Sequence, residues 1–377
     1  VIGLLLLLLA AQAGPLRVTF VNPGSAEDDF WRTADAYARD AAAQHEVQLD
    51  VVHADRNHLA MVRLLQEVVQ RQPPPDVVIV VNEREMAPAM IASAERAGVR
   101  VFLAHNPLTE TQAALHGAPG ERFTHWIGSF ATDDRGGGRL LTAALLDAAR
   151  ATRTCPRSST GKLRILALHG DRTTPAATGR RQGLNDQLAD VSDVEIAQEV
   201  WVDWDREDAR YAAEVLLGRY PDACLIWAAN DAIALGALEG ARAAGRTPGR
   251  DVLVAGLNGS AEAVAALRRG ELAATVAGHF VAIGVVIAEL RRRADAGLLD
   301  LPTPPVQWPM YAIVDAGRAT QYEAWRAQGW AGVDLEALRA GSPWGGANDL
   351  RIAVPLGSAG AGPAGMEGPL LLPGGGP

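Results

Sequence analysis

Short β-branched runs alternate with amphipathic stretches of helical length from residue 16 to about 278. That alternation restricts the chain to parallel sheets covered by helices on both faces. Nine runs read as strands: VTFV (18–21), VQLDVV (47–52), DVVIVV (76–81), VRVFLA (99–104), LRILAL (163–168), VEIAQEVWV (194–202), CLIWAA (224–229), DVLVAG (251–256) and LAATVA (272–277). Helical stretches between them include 33–44, 59–70 and 231–245. So many strands exceed one comfortable sheet, so the expectation is two α/β lobes. The break falls between about 105 and 162, which holds the loop-rich segments 106–121 and 152–162. The tail 341–377 differs in kind: 17 of its 37 residues are Gly or Pro, a composition that argues for disorder.

With 377 residues, 48% of them apolar, the chain can bury two sizeable cores. A net charge of −9 argues against a nucleic-acid partner. Lys162 is the only lysine, which we read as coding bias. Cys155 and Cys224 are the only cysteines, too few for a thiolate zinc site or an iron–sulfur cluster. Residues 1–11 are nearly all apolar but too short to span a bilayer, and Ala11-Gln12-Ala13 forms a small-x-small site. The expectation is a signal peptide over 1–13, cleaved after Ala13, and export to the periplasm. An exported chain can hold a disulfide. Cys155 lies just before LRILAL and Cys224 begins CLIWAA; if those two strands are parallel neighbours the cysteines can bridge, and the alternative is a buried thiol at Cys224 and a free one at Cys155.

Ligands of open parallel sheets bind beyond the C-terminal ends of the strands. The segments there are NPGSAEDDFW (22–31), His105-Asn106, HGDRTTPAATGR (169–180), DWD (203–205), Asn230-Asp231, Leu257-Asn258-Gly259 and Gly278-His279. Phe30, Trp31 and Trp204 lie in this set although aromatics are only 5% of the chain. A flat ring offers an apolar face to the C–H face of a sugar, while Asp, Asn and Arg exchange hydrogen bonds with hydroxyls. The alternatives are that Phe30 and Trp31 cap the core and that Asp231 is a helix cap.

Catalytic signatures are missing. There is no GxSxG elbow and no HExxH pair. GGG (136–138) lacks dinucleotide spacing, and SSTGKL (158–163) lacks the leading glycine and the hydroxyl of a phosphate loop. His53 and His58 have no third ligand nearby and are expected in solvent. Asp28 and Asp29 are adjacent and would point apart, so they do not form an acid/base pair. No catalytic residue, cofactor or metal is expected.

Three stretches in order carry a resemblance: ANDAIALGALEGARAAGR (229–246), DVLVAGLNGSAEAVAALRRGELAATVA (251–277), and Arg180 in RRQGL. Through them the chain resembles the type I periplasmic solute-binding proteins. These are the ribose-binding-protein-like group that shares its fold with the effector domains of lactose-repressor-type regulators. The resemblance covers roughly 16–315. It implies two doubly wound parallel-sheet lobes joined by a three-strand hinge: 16–131 with 280–308, and 132–279 with 309–340. It places Phe30, Trp31 and Trp204 at sugar-stacking positions and Arg180, Asn230 and Asn258 at polar contacts, with Asp231 following the Asn-Asp motif. His105-Asn106 stands where ribose-type binders have Asp-Arg, Asn258 where they have Asp, and Gly278-His279 where they have Gln. With Asp28 from the first loop, these are the candidate ligand-binding residues.

The implied function is a monomeric binding protein that captures a sugar or sugar-like molecule and presents it to an ABC-transporter permease. The first loop, VNPGSAEDDFW (21–31), is similar instead to that of autoinducer-2 receptors, as is Asn106, so a membrane sensor kinase or chemoreceptor is the alternative partner. Segments 316–330 and 333–340 read as extra helices on the second lobe, with Trp325 and Trp330 on their apolar face, or as a docking element.

Overall fold

A computed structural model describes residues 15–152, 155–308 and 310–334. The signal-peptide segment 1–13, the tail 341–377 and most of the helix expected over 333–340 lie outside the described residues.

Twelve strands among the described residues form two six-stranded sheets. In chain order they are β1 (Leu16–Asn22), β2 (Val47–His53), β3 (Val77–Val81), β4 (Arg100–His105), β5 (Trp126–Thr132), β6 (Leu163–His169), β7 (Val194–Trp201), β8 (Leu225–Ala228), β9 (Leu253–Leu257), β10 (Ala274–Ala277), β11 (Val306–Trp308) and β12 (Ala312–Val314). The first sheet runs β11-β5-β4-β3-β1-β2 and the second β12-β10-β9-β8-β6-β7. All pairings are parallel except β10 with β12. Strands such as β3, VVIVV, are buried at every position because helices cover both faces. β7 is an edge strand and only half-buried, and its sequence accordingly mixes apolar and charged residues.

Each sheet with its helices is one lobe, and the chain passes between them three times. It crosses after β5 into the helix Asp134–Thr152, after β10 through the turn His279–Val281 into the helix Ala282–Asp295, and between β11 and β12. β5, β11 and β12 are additions to the nine expected strands. β5 reads WIGSFAT, and its glycine, serine and threonine break the apolar run by which a buried strand is recognised. β11 and β12 are three residues each, too short to show a period.

Polar caps fix where the chain leaves each strand end. Asp28 accepts from the Phe30 and Trp31 amides to start the helix Asp29–Gln44, and Asn230 accepts from the Ile233 amide to start Asp231–Ala243. Thr109 and Gln112 form a reciprocal capping box at Glu110–His116. A disulfide joins Cys155 to Cys224, with the Cα atoms 5.5 Å apart, and ties the loop before β6 to the start of β8.

The C-terminal segment does not pack on the second lobe alone. It consists of the helix Ala319–Arg326 and the turn Gly329–Gly332. Trp325 stacks near Tyr37 and meets Phe280 at a tilt, and Trp330 sits against His45 and over Gly284, all in the first lobe. Tyr322 and Arg326 donate to the Gly259 carbonyl of the second lobe at 2.7 and 2.9 Å. The segment therefore clasps both lobes.

Candidate functional site

The C-terminal ends of the strands of both sheets face one cleft. The first lobe contributes Phe30 and Trp31 after β1, Arg56 after β2, Glu83 after β3, and His105 and Asn106 after β4. The second contributes Thr174, Ala176 and Arg180 after β6, Trp204 after β7, Asn230 after β8 and Asn258 after β9, and His279 stands at the second crossing. The cavity these residues line measures about 50 Å³. A site for a small organic molecule usually offers roughly 300 Å³ or more, so the lobes are closed on one another and must part to admit one.

The two indoles are seated by glycines. A Cβ at Gly24 would stand 2.2 Å from the Trp31 ring, and one at Gly170 would stand 2.3 Å from the Trp204 ring. Each glycine follows the first strand of its lobe. Phe30 meets Trp31 edge-on at 5.0 Å and stacks on His279 at 4.7 Å, with ring planes 21° apart. Four lining residues other than glycine adopt positive φ: Arg56 (57°), His105 (70°), Trp204 (66°) and Asn258 (147°). Such conformations cost about 1–3 kcal/mol each and cluster where a site needs a side chain aimed against backbone preference.

Arg180 organises the polar floor. It is buried, and it donates Nε–H to Asp134 Oδ1 at 2.8 Å and Nη1–H to the Ala229 carbonyl at 2.9 Å. Tyr311, from the third crossing, donates its hydroxyl to the same Asp134 oxygen at 2.6 Å. Burial works against the Arg180 charge, but Tyr311 and Asp134 more than offset it and its pKa is raised. The Arg180 guanidinium also lies 5.5 Å over the Trp204 ring, a cation–π contact. Burial pushes the His105 imidazole down to about 4, opposed by Asp134 and assisted by Arg180. Burial, with Arg180 and His105 adding to it, holds His279 well below its usual value. Both rings are therefore neutral at pH 7. Glu83 is pushed up to about 7 by burial, with Arg56 opposing and Asp171 adding.

Nine of the eleven residues expected at the site line this cavity: Phe30, Trp31, His105, Asn106, Arg180, Trp204, Asn230, Asn258 and His279. Asp28 stands one step back, as a helix cap and as the ion-pair partner of Arg56. Asp231 lies beneath the floor, accepting from the Ser260 amide and the Thr275 hydroxyl, each at 2.7 Å, while its neighbour Asn230 is the helix cap. Burial pushes Asp231 up to about 6 against those hydrogen bonds. Arg56, Glu83, Thr174 and Ala176 were not singled out from the sequence. The strand-end rule reaches Arg56 and Glu83 once β2 and β3 are included, because both follow those strands within a few residues. His53 is not in solvent: Nε2 is 2.7 Å from Asp35 Oδ2.

Among the described residues no group of three or more His, Cys, Asp or Glu is placed to hold a metal ion, and no helix is long and apolar enough to cross a membrane.

Comparison with known proteins agrees with this architecture. The family described as a periplasmic binding protein domain matches residues 18–294. The D-allose-binding periplasmic protein of Escherichia coli K12 is 30% identical over 157 residues, 42% of this chain and 49% of that protein. The ribose import binding protein RbsB of Salmonella typhimurium LT2 is 33% identical over 114 residues, 30% of this chain and 37% of that one. The chain thus matches about half or less of the length of these curated relatives. Among solved structures, a periplasmic sugar-binding protein from Pseudomonas fluorescens is 33% identical, covers 87% of this chain and 95% of its own, and has a TM-score of 0.74. The periplasmic binding component of the arabinose ABC transporter from Shewanella sp. ANA-3, bound to L-arabinofuranose, shares the fold at 20% identity, with a TM-score of 0.68 over 84% of this chain and 97% of that one.

Proposed function

This chain belongs to the periplasmic binding proteins, and from that premise we propose that it is an exported receptor that captures a neutral sugar or sugar-like molecule between its lobes and delivers it to an ABC-transporter permease. The observation that carries the reading is the cleft itself. Aromatic faces from both lobes, Phe30 and Trp31 on one side and Trp204 on the other, share one small cavity with Asn106, Asn230, Asn258 and Arg180. Rings pack on the C–H faces of a sugar, and amides and guanidinium take its hydroxyls. In this reading the lobes divide as 16–131 with 280–308 and 132–279 with 309–318, and the segment 319–332 bridges the two.

The binding needs no chemistry. A ligand that touches both lobes binds the closed form better than the open one, and that difference alone shifts the population toward closure. The closed form is then what the permease recognises. A membrane sensor is the second reading, supported by the first loop and by Asn106.

Intrinsic tryptophan fluorescence, titrated with pentoses, hexoses, polyols and autoinducer-2, tests the proposal. A saturable change with a pentose, hexose or polyol is expected. Folded protein that responds to none of these compounds overturns it. A response to autoinducer-2 alone favours the sensor.

A further inference from the structure

Beyond the three hinge crossings, the chain returns once more from the second lobe to the first. From β12 a turn over 315–318 leads into the helix Ala319–Arg326. Tyr322, Trp325 and Arg326 are three and four residues apart and share one face of that helix. Gly329 then takes a left-handed backbone, with φ of 57°, which bends the chain sharply and delivers Trp330 to the first lobe. Trp325 Nε1 donates to the Gly332 carbonyl at 2.9 Å, so the helix and the turn after it are braced as one unit.

The two attachments of this unit differ in kind. On the first lobe it is apolar and interlocked. Trp325 and Trp330 are buried, and Trp330 fills the notch left by Gly284, where a Cβ would stand 2.5 Å from its ring. On the second lobe the attachment is polar. The Gly259 carbonyl accepts from Tyr322 and Arg326, and Arg268 pairs with Glu323 and donates to Thr320 at 3.3 Å. The Arg268–Glu323 pair is half-exposed and holds little, so Gly259 is the point of grip. Hydrogen bonds to a carbonyl are exchanged for bonds to water at small net cost, whereas freeing two indoles returns a large apolar area to water. A turn holds its ends within about 7 Å and four extended residues reach about 13 Å, so straightening 315–318 supplies slack for the second lobe to move away.

We propose that residues 319–332 are a strap that stays on the first lobe and lets go of Gly259 each time the cleft opens, so that Tyr322 and Arg326 set how strongly the protein favours its closed form. Gly259 directly follows Asn258, which lines the cleft, so the strap grips the rim of the binding site itself. Arg326 also lies over the Phe280 ring at 5.7 Å and borders a narrow gap between Phe30 and Thr33 of the first lobe and Asn258 and Ser260 of the second. A hinge with three crossings leaves the closed form to be stabilised by what it binds. A strap that holds only when the lobes are together adds a fixed bias toward closure, whatever the ligand. The inference rests on the part of the functional reading that has the lobes open and close, and on no particular ligand.

Opening can be read without a ligand. Ala176 is buried and lines the cleft, and the two native cysteines are bonded to each other, so Ala176→Cys gives the full chain one thiol that a maleimide meets when the lobes part. Its labelling rate is proportional to the open population even when that population is small, and a weak dependence on added urea separates opening from unfolding. In this background Tyr322→Phe with Arg326→Met keeps the packing and removes both donors to Gly259. The labelling rate should rise about tenfold or more, the effect of two lost hydrogen bonds. Trp330→Phe weakens the other attachment. It should lower the melting temperature yet leave the labelling rate within about twofold, because opening proceeds by the cheaper release at Gly259. An unchanged rate in the Tyr322/Arg326 variant overturns the proposal. A rate that rises with Trp330→Phe and not with that variant overturns it too, since the strap would then travel with the second lobe. The assay contains no sugar, so a fluorescence panel without a response would overturn the sugar reading and leave this result standing, and an unchanged labelling rate would leave the sugar reading as it was.

Discussion

Arg84 and Asp171 are joined at 2.8 Å across the cleft, the one following β3 in the first lobe and the other following β6 in the second. Asp171 is buried and also accepts from the Thr173 amide and hydroxyl, so it is a fixed anchor. Arg84 reaches it from a left-handed backbone position, with φ of 47°. The bond exists only while the lobes are together, which makes it a latch on the closed form.

Breaking the latch should change how fast ligand leaves, not how fast it arrives. The Arg84 side chain is 42% exposed, so the pair is partly screened and worth about 1 kcal/mol. Arg84→Gln should therefore raise the dissociation rate about threefold to tenfold, with the association rate little changed. Stopped-flow tryptophan fluorescence measures both rates. An unaltered dissociation rate would mean that closure is held elsewhere.

Trp204 should carry much of the affinity while contributing little to folding, because it is partly exposed and rests on Gly170 and Arg180. Trp204→Ala is expected to weaken binding about tenfold to a hundredfold, the scale of a lost aromatic face and cation–π contact, and to leave the melting temperature within a few degrees. Gly170→Ala should act likewise by displacing the indole. Gly24→Ala is the contrast: the Trp31 it would displace is buried, so overpacking should lower stability by about 1–3 kcal/mol. Thermal melts beside binding isotherms distinguish the two glycines.

The pH dependence of stability should carry the mark of Glu83. Its pKa is raised from 4.5 to about 7, so the folded state holds that proton more tightly than the unfolded state. The associated stability is fully present below pH 4.5 and is lost as pH rises through 7. Glu83→Gln removes this loss. The variant should show a flatter profile between pH 4.5 and 7 and, at pH 8, a relative gain of up to about 3 kcal/mol. Urea melts at pH 5 and pH 8 give the comparison; parallel profiles for wild type and variant would show that burial does not penalise this carboxylate.

The disulfide closes a loop between positions 69 residues apart, and Cys224 is wholly buried. Loops of that size gain about 2–4 kcal/mol from cross-linking. The double variant Cys155→Ala/Cys224→Ala should unfold at correspondingly lower urea, while its cleft, built by other strand ends, should keep its ligand affinity. Reduction of the wild type should lower its midpoint in the same direction.

The fold was legible wherever packing leaves a local trace. β3 and β6 are buried on both faces and spell it out as continuous apolar runs. β11 and β12 leave no such trace: they are strands because two finished sheets present edges to them, a property of residues far off in sequence. The site divides in the same way. Trp204 and Asn258 stand at strand ends, where the topology puts ligands, and the rule finds them. That Asp28 is occupied by Arg56, or that Asp231 belongs to Ser260 and Thr275, depends on which side chains meet after folding. The C-terminal clasp shows the limit most plainly. The tryptophans at 325 and 330 announce an apolar face, but not that Tyr37, Phe280 and Gly284 of the first lobe would cover it.

The placement of β11 also fixes an order of events during synthesis. β1 to β5 leave the ribosome early, yet the strand that closes their sheet, Val306–Trp308, is made only after nearly all of the second lobe. For that interval β5, buried along its whole length in the finished protein, ends the first sheet as an open edge. Open edges of this kind recruit other chains. The nascent protein therefore has to be kept apart from its neighbours until the last fifth of the chain arrives, and one short strand delivered late decides whether what was made first survives.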